Sequence, residues 1–228
     1  RNRFTLPPRL PITRELVELL GIYAAEGTAV VGDSEHRTNR VVLSFGTHEQ
    51  ELIAYAAELI RRVFNYQATP RYAHETARTV QIDSLVIALL FRDIFKAGGN
   101  SHAKRVPQVI LNLPRELRER YLIAYLAGDG YPSALFAEHL MTGSAPGPDE
   151  RKKFTFSSAS KALIDDCSYL LYTLGKTFSV QARKLQEGGE ILVNYRGNVR
   201  KTIRGQSQSW SIDFYWNTNA SYLGRLPV

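Results

Sequence analysis

The chain has 228 residues, 44% of them hydrophobic and 22% charged, which suffices for one large globular domain or two small ones. No apolar run reaches the roughly 18 residues of a membrane span, and the N-terminus lacks a signal-peptide core. A single cysteine, Cys167, excludes an internal disulfide framework and a cysteine-cluster zinc site. We therefore expect a cytoplasmic protein without a membrane segment, with Cys167 buried as a small apolar side chain.

The first half of the chain predicts a helix, a strand, a helix, two strands and a closing helix. Thr13 is placed to cap the first helix, and Gly27 to end it as a left-handed C′ residue. Alternating or helical spacing of apolar residues predicts the elements that follow, at residues 40–45, 48–64, 68–72, 78–83 and 84–95.

The second half has a similar order, so that each half is roughly α-β-β-α-β-β. After a helix that begins near Pro114 and ends at Gly130, the pattern predicts strands at 134–140 and 153–157, a helix at 160–174, and strands at 177–185, 191–195 and 209–216. A Gly- and Arg-rich insertion spans 196–205, and a closing helix is not expected in this half. We place the boundary so that the two pseudo-symmetric halves are residues 1–110 and 111–228.

The two leading helices share a gapless nine-residue block. Residues 19–27 read LLGIYAAEG and residues 122–130 read LIAYLAGDG. Gly21 aligns with Ala124, and Ala25 with Gly128, so each helix carries two small residues four apart on one face. Such a strip lets two helix backbones approach closely. We therefore predict that these helices pack on each other.

This packing would bring together the acids at the two helix ends, Glu26 and Asp129. Like charges oppose each other's ionisation, and a helix C-terminus carries partial negative charge. Either acid alone is an ordinary turn residue, but the aligned pair favours a site for a divalent cation. Carboxylate oxygens are the ligands that Mg²⁺ prefers, and hydrolysis of a phosphodiester is chemistry that such a site supports.

The paired blocks resemble the LAGLIDADG, or dodecapeptide, motifs of homing endonucleases of the monomeric two-motif type, and the likeness covers nearly the whole chain. The resemblance implies an α+β fold of two αββαββ(α) halves that pack through the motif helices, with antiparallel sheets forming a saddle on DNA. It implies Glu26 and Asp129 as metal ligands, with Ala25 and Gly128 beside them in the metal site. Mg²⁺ is the implied cofactor, for which Mn²⁺ would substitute.

Two lysines are further candidates. The segment Lys104-Arg-Val-Pro107 resembles an element of intein-borne members in which the lysine reaches the active site, so Lys104 is a candidate for stabilising charge on the scissile phosphate. Lys201 is its candidate counterpart after Asp129, although it falls in the irregular insertion. The final residues, 223–228, resemble a chain that re-enters an intein splicing domain, but splicing residues are absent, and an intron origin stays open.

The net charge of +7 favours a polyanionic partner. We expect double-stranded DNA, bound by one monomer through the polar faces of the strands. The residues predicted to contact it are Arg40, Arg71, Tyr72, His74, Arg78 and Gln81 in the first half, and Lys152, Lys153, Gln181, Arg183, Lys184, Arg196 and Arg200 in the second. The aromatic residues near the end are expected to pack in the core, with stacking on bases as the alternative: Trp210, Phe214, Tyr215 and Trp216.

Together these features predict a site-specific, metal-dependent DNA endonuclease that cuts both strands of a long asymmetric target. The alternative is a non-cleaving nucleic-acid-binding protein on the same scaffold, either an RNA intron maturase or a DNA-binding regulator. Retention of both acids argues against a purely non-catalytic role but does not exclude a maturase, because some members of the family have both activities.

Overall fold

The computed structural model describes residues 5–32, 38–147, 153–183, 191–192, 200–201 and 208–216. Of the predicted DNA contacts, Lys152, Lys184 and Arg196 lie outside these residues, as do the side chains of His74 and Arg200. The side chain of Lys201 is likewise outside the description. Within the described ranges, no helix is both long and apolar enough to cross a bilayer.

Both helices and strands occur in each half of the chain. The helices are α1 Arg14–Glu26, α2 Gln50–Phe64, α3 Leu85–Leu89 with a π-helical turn at Leu90–Ile94, α4 Gln108–Leu111, α5 Arg115–Asp129, α6 Ser133–Thr142 and α7 Lys161–Thr173. The strands are β1 Gly27–Val30, β2 Arg40–Gly46, β3 Pro70–His74, β4 Ala77–Ile82, β5 Gly130–Tyr131, β6 Lys153–Ser158, β7 Phe178–Arg183, β8 Ile191–Leu192, β9 Arg200–Lys201 and β10 Ser209–Tyr215.

The strands form two equivalent antiparallel sheets, and β8 pairs with β9 as a separate ribbon. The first sheet has the order β1-β2-β4-β3 and the second the order β5-β6-β10-β7. In each sheet the strand that follows a motif helix is an edge strand, and the strand after it lies beside it. The predicted α+β fold with two pseudo-repeated halves is therefore confirmed.

Each sheet has one apolar and one polar face, as the alternation in sequence predicts. In the first sheet Leu43 pairs with Val80, both buried, while Ser44 pairs with Thr79 on the opposite face. In the second, Ile212 is buried and its neighbour Asp213 faces the other way. The apolar faces and the helices share one continuous core that runs through both halves. Cys167 is fully buried in it.

The two motif helices, α1 and α5, pack directly on each other at the centre of the protein. An added Cβ at Gly21 would lie 2.6 Å from both the Ala124 Cβ and the Tyr121 carbonyl oxygen. An added Cβ at Gly128 would lie 2.6 Å from the Ala25 Cβ. Real Cβ atoms do not approach other atoms so closely. The backbones are therefore as near as glycine allows, which confirms the predicted strip of small residues.

A buried ion pair joins the same two helices at the end remote from the acids. The Glu18 carboxylate accepts hydrogen bonds from the Arg120 guanidinium at 2.8 Å, from Arg14 at 2.7 Å and from the Tyr55 hydroxyl at 2.6 Å. Arg120 also donates to three carbonyls around the end of α6, including that of Leu140 at 2.7 Å. Each charged group thus keeps full hydrogen bonding although water is excluded.

The strand predicted at residues 134–140 is wrong, because these residues form α6. Only β5, two residues long, pairs with β6 at this place. Phe136 and Leu140 are four residues apart and both fully buried, which is a helical spacing. The surrounding Ala, Leu, Glu and Met residues also favour helix. Gly143 ends α6 in the left-handed conformation, at φ +76°.

The left-handed cap predicted at Gly27 is also wrong. Gly27 has φ −89° and ψ 151°, and Gly130 has φ −83° and ψ 161°, so the chain passes directly from each helix into a strand. Each glycine N–H still donates to the last helical turn, to the carbonyls of Tyr23 and Leu126. The glycines are required here for close approach, since an added Cβ would collide with the preceding turn.

The helix crossing yields a first prediction, that Gly21→Ala destabilises the protein. In a free helix alanine is more stable than glycine by about 1 kcal/mol, so the intrinsic effect is stabilising. Here the new methyl group would meet the Tyr121 carbonyl, which cannot move without displacing α5. We expect a net loss of about 1–3 kcal/mol in the free energy of unfolding, measured by urea denaturation.

Gly147→Ala is the matched control, because an added Cβ there has nothing within 4 Å. It should leave the unfolding midpoint nearly unchanged. A Gly21→Ala protein as stable as wild type would show that the crossing is not tightly packed.

Candidate active site

The adjoining ends of α1 and α5 place Glu26 and Asp129 on one cavity of about 450 Å³. The Glu26 carboxylate extends toward α5, and its Oε1 would lie 2.9 Å from a Cβ added at Gly128. Gly128 immediately precedes Asp129. Of the two small residues expected beside the acids, Ala25 lines the same cavity, whereas Gly128 lies at the helix crossing and does not line it. The structure therefore brings the two acids to one cavity, as predicted.

Both carboxylates are held where ionisation is unfavourable. Burial, followed by repulsion from Asp129 and from Glu49, raises the pKa of Glu26 to about 8. Asp129 keeps an exposed edge, yet loss of solvent raises its pKa to about 6. Lys104 opposes both shifts by attraction. At neutral pH the pair therefore resists carrying two negative charges unless a cation joins it.

Lys104 is the third charged group of the cavity, as predicted. Its residue is 4% exposed, and its ammonium donates hydrogen bonds to the Tyr23 carbonyl and, at 3.1 Å, to the Ala24 carbonyl. The same ammonium lies 4.6 Å from the centre of the Tyr23 ring. Burial lowers the pKa of Lys104 to about 8, against the attraction of Asp129 and Glu26. Lys104 thus binds the last turn of α1, next to Glu26.

Sequence reasoning missed Glu49 and a pair of serines. Glu49 precedes α2 and accepts a hydrogen bond from the Gly46 N–H at 2.6 Å, close enough to the acids to raise both of their pKa values. Ser44 and Ser157 line the cavity from opposite sides, one from each sheet. Only the repeat could have indicated the serines, which occupy equivalent places in β2 and β6.

The polar faces of both sheets meet at the acid cavity. Ser44 lies on the polar face of the first sheet and pairs with Thr79, while Ser157 lies on the polar face of the second and pairs with Ser211. Since both serines also line the cavity beside Glu26, the two faces and the acids are turned to the same side of the protein. One polar surface therefore runs from the first sheet across the acids to the second.

Most of the described DNA-contact candidates in the first half lie on or beside this surface. Arg40 and Gln81 share the polar face, and Arg71 pairs with Thr79 on the same face. Tyr72 is 76% exposed, and the Arg78 guanidinium stacks over its ring at 3.0 Å. Tyr72 and Arg78 pair with each other and lie on the opposite face of the sheet from Gln81, so these two candidates are not on the polar face.

In the second half, Gln181 and Arg183 pair with Ser211 and Ser209 on the polar face and are exposed. Lys153 lies on the same face but is paired with Asp213 at 3.2 Å. Of the expected core aromatics, Phe214 and Trp216 are buried, whereas Tyr215 is 44% exposed.

The donor set fits a hard divalent cation that shares its ligands with a substrate. In the part of the chain that the structure describes, no three His, Cys, Asp or Glu residues cluster tightly enough to hold a metal alone. Mg²⁺ commonly takes only one or two protein carboxylates, with phosphate oxygens and water as the remaining ligands. Glu26 and Asp129 supply that number and type of ligand. These two side chains therefore fit a cation whose remaining ligands include phosphate oxygens.

The raised pKa values predict that either acid destabilises the metal-free protein at neutral pH. The pKa of Glu26 is about 8 in the folded protein and near its ordinary 4.5 in the unfolded chain. Glu26 therefore costs no stability below pH 4.5, and its cost to the folded state grows as pH rises toward 8. In EDTA at pH 8, Glu26→Gln should raise Tm by about 2–4 °C or more, the shift that ~1 kcal/mol gives in a protein of this size.

The advantage of Glu26→Gln should shrink toward pH 5, where the folded wild-type side chain is protonated and the unfolded one begins to be protonated as well. Asp129→Asn should act in the same direction with a smaller shift. Thermal unfolding measured at several pH values checks this, and a lower Tm for Glu26→Gln at pH 8 would contradict it.

Comparisons with known sequences match this chain to a small part of larger proteins. No family model matches it. It is 32% identical over 205 residues to the DNA polymerase II large subunit of Thermococcus kodakarensis, which covers 90% of this chain and 10% of that protein. It is 24% identical over 162 residues to a subunit of the A-type ATP synthase of Methanopyrus kandleri, covering 71% of this chain and 13% of that protein. The chain thus spans about a tenth of the length of these relatives.

Comparison with solved structures identifies the fold. A structure of mesophilic variants of the homing endonuclease I-DmoI matches with a TM-score of 0.53 over 89% of each chain, at 11% identity. I-DmoI in complex with its target DNA, nicked in one strand in the presence of Mn, matches with a TM-score of 0.52 over 88% of each chain, at 13% identity. The chain has the fold of this homing endonuclease.

Proposed function

We propose that this protein is a site-specific, metal-dependent DNA endonuclease of the LAGLIDADG type. The observation that carries the proposal is the pair of carboxylates, Glu26 and Asp129, at a helix crossing that opens onto the polar faces of both sheets. A protein that only bound nucleic acid would gain nothing from two acids whose burial and repulsion disfavour their charged forms. The shared fold with I-DmoI supports the same interpretation.

Glu26 and Asp129 would hold Mg²⁺, or Mn²⁺ in its place, together with phosphate oxygens of the substrate. The bound cation would supply Lewis-acid activation of water and stabilisation of the leaving oxygen. The protein's own contribution is position: α1 and α5 fix the carboxylates, and Ser44 and Ser157 are placed to donate hydrogen bonds to phosphate oxygens on either side. Lys104 would stabilise negative charge on the phosphate at one edge of the site.

The substrate in this proposal is a long duplex with an asymmetric sequence, held by one monomer. Each half, residues 1–110 and 111–228, would bind one half-site through the polar face of its sheet. The exposed guanidinium groups of Arg71 and Arg183 are suited to phosphates or base edges, one on each sheet. The two sheets carry different side chains at equivalent places, so the half-sites should differ.

The matches to larger proteins support an origin as a mobile insert. A polymerase subunit and an ATP synthase subunit have unrelated activities, yet each has a segment similar to this chain, and that segment is about a tenth of its length. A shared activity of the whole proteins cannot explain the similarity. A homing element inserted in different host genes, as an intein is, does explain it.

A DNA cleavage assay tests the proposed function. Duplexes that the protein binds in Ca²⁺ would be selected from a randomised pool, cloned into a plasmid and incubated with the protein and Mg²⁺. We expect wild type to linearise the plasmid, and EDTA to abolish cleavage. Glu26→Gln and Asp129→Asn should bind the same duplex but cut at least ~100-fold more slowly, because each removes a charged ligand.

Glu138→Gln is a matched control, since Glu138 is exposed on α6 and does not line the acid cavity. It should cut like wild type. Undiminished cleavage by Glu26→Gln would refute the site. Selection of RNA in a parallel pool, with no cleavage of any selected duplex, would establish the maturase alternative instead; binding of DNA with no cleavage would establish a regulator.

A further inference from the structure

The loop that carries Lys104 is fixed to the first half of the protein along most of its length. The Tyr23 hydroxyl donates a hydrogen bond to the Gly98 carbonyl, and the Ala29 N–H donates to the Gly99 carbonyl at 3.2 Å. The Arg105 N–H returns to the Ala97 carbonyl at 3.2 Å, which closes the loop on itself. These contacts set the course of the loop up to residue 104.

The backbone of Lys104 itself is held by the second half. Ser160, which is 1% exposed, precedes α7, and its hydroxyl donates a hydrogen bond to the Lys104 carbonyl at 2.7 Å. The same hydroxyl accepts from the Leu163 N–H at 3.2 Å and so caps α7. The helix start and the lysine backbone therefore share one buried oxygen.

Asp166, in the second turn of α7, holds the two residues that follow Lys104. Its carboxylate accepts two hydrogen bonds from the Arg105 guanidinium, at 2.6 and 2.9 Å, and one from the Val106 N–H at 3.1 Å. A two-point fork of this kind fixes orientation as well as distance. Although Arg105 is about half exposed, the Asp166 side chain is only 13% exposed. Three consecutive residues, 104 to 106, are thus bound to one helix of the opposite half.

We infer that Ser160 and Asp166 are positioning residues for Lys104, which they hold from the opposite half of the chain. Their fixed hydrogen bonds to residues 104–106 set the place from which the lysine side chain reaches the last turn of α1 beside Glu26. This inference rests on the proposed function, in which the Lys104 ammonium faces the scissile phosphate. It makes the geometry of the site depend on the docking of α7 as well as on the helix crossing.

Chemical labelling tests the positioning without any DNA. Lysine side chains of the full chain would be acetylated with acetic anhydride, and the rate at Lys104 followed by mass spectrometry. Asp166→Ala should raise that rate about tenfold or more. Loss of the charge-assisted hydrogen bonds should make local opening of the loop more frequent, and Lys104 reacts only when the loop is open. Asp166→Asn, which keeps an acceptor for the Val106 N–H, should give a smaller increase.

Two controls separate positioning from general loosening. Lys176 is 6% exposed at another place in the core, so its labelling rate should stay unchanged. Asp165→Asn removes the neighbouring carboxylate on α7, which forms its ion pair with Lys161 and reaches the loop only through a coulombic attraction to Arg105. It should leave the labelling of Lys104 at the wild-type rate.

Cleavage of the selected duplex supplies the functional readout. Asp166→Ala and Ser160→Ala should lower kcat about 10- to 100-fold with little change in KM, because a small displacement of a charged group weakens the transition state more than binding. In a Lys104→Met background the same substitutions should have no further effect. A purely structural role would lower the rate equally in both backgrounds.

Unchanged labelling of Lys104 in Asp166→Ala, or an equal loss of kcat with and without Lys104, would overturn the inference. Were Asp166→Ala to unfold, Asp166→Asn would decide by the same two measurements. A chain that cut no duplex at all would refute the proposed function. The labelling experiment does not depend on that function, so the two failures can be distinguished.

Discussion

The close crossing of α1 and α5 is the contact on which the rest of the structure depends. Glycine faces alanine twice along the crossing, and an added Cβ at either glycine would lie 2.6 Å from its neighbour. This approach leaves room for one continuous core through both halves, directs both helix ends to one cavity, and turns the polar faces of the two sheets to the same side. At the remote end, the buried pair Glu18–Arg120 fixes the same crossing with hydrogen bonds from both halves. The equivalent positions in the repeat are Val17 and Tyr121, which carry no charge, so the pair also breaks the symmetry of the repeat.

The site that results is unfavourable for the metal-free protein, and this is the physical sign of a function. Loss of solvent raises the pKa values of Glu26 and Asp129, repulsion from Asp129 adds to the shift of Glu26, and the Glu49 carboxylate adds to both shifts. Lys104 offsets part of the negative charge but directs its hydrogen bonds to the end of α1. Residues of an active site often reduce stability in this way. The lysine also makes the cavity asymmetric, since it comes from the first half of the chain. Ser160 and Asp166 of the second half hold the backbone of residues 104 to 106.

Much of this could be predicted from the sequence, and the errors have identifiable causes. The gapless repeat of 19–27 and 122–130 is sufficient to predict the pseudo-symmetry, the strip of small residues and the meeting of the two acids. The same repeat produces the error at α6, because symmetry suggests a strand where Phe136 and Leu140 have helical spacing. A glycine after a helix suggests a left-handed cap at Gly27, although the structure requires glycine there for lack of space. Glu49, Ser160 and Asp166 could not be found, since their roles arise from contacts between residues far apart in the chain.

The most direct test of the proposed metal site is the position of the metal in a complex with DNA. Crystals of the protein with a selected duplex and Mn²⁺ would locate the ion by its anomalous scattering. We expect Mn²⁺ within coordination distance, about 2.0–2.2 Å, of carboxylate oxygens from both Glu26 and Asp129 and of a phosphate of the duplex. An ion bound to the phosphate without either carboxylate, or bound only elsewhere on the protein, would contradict it.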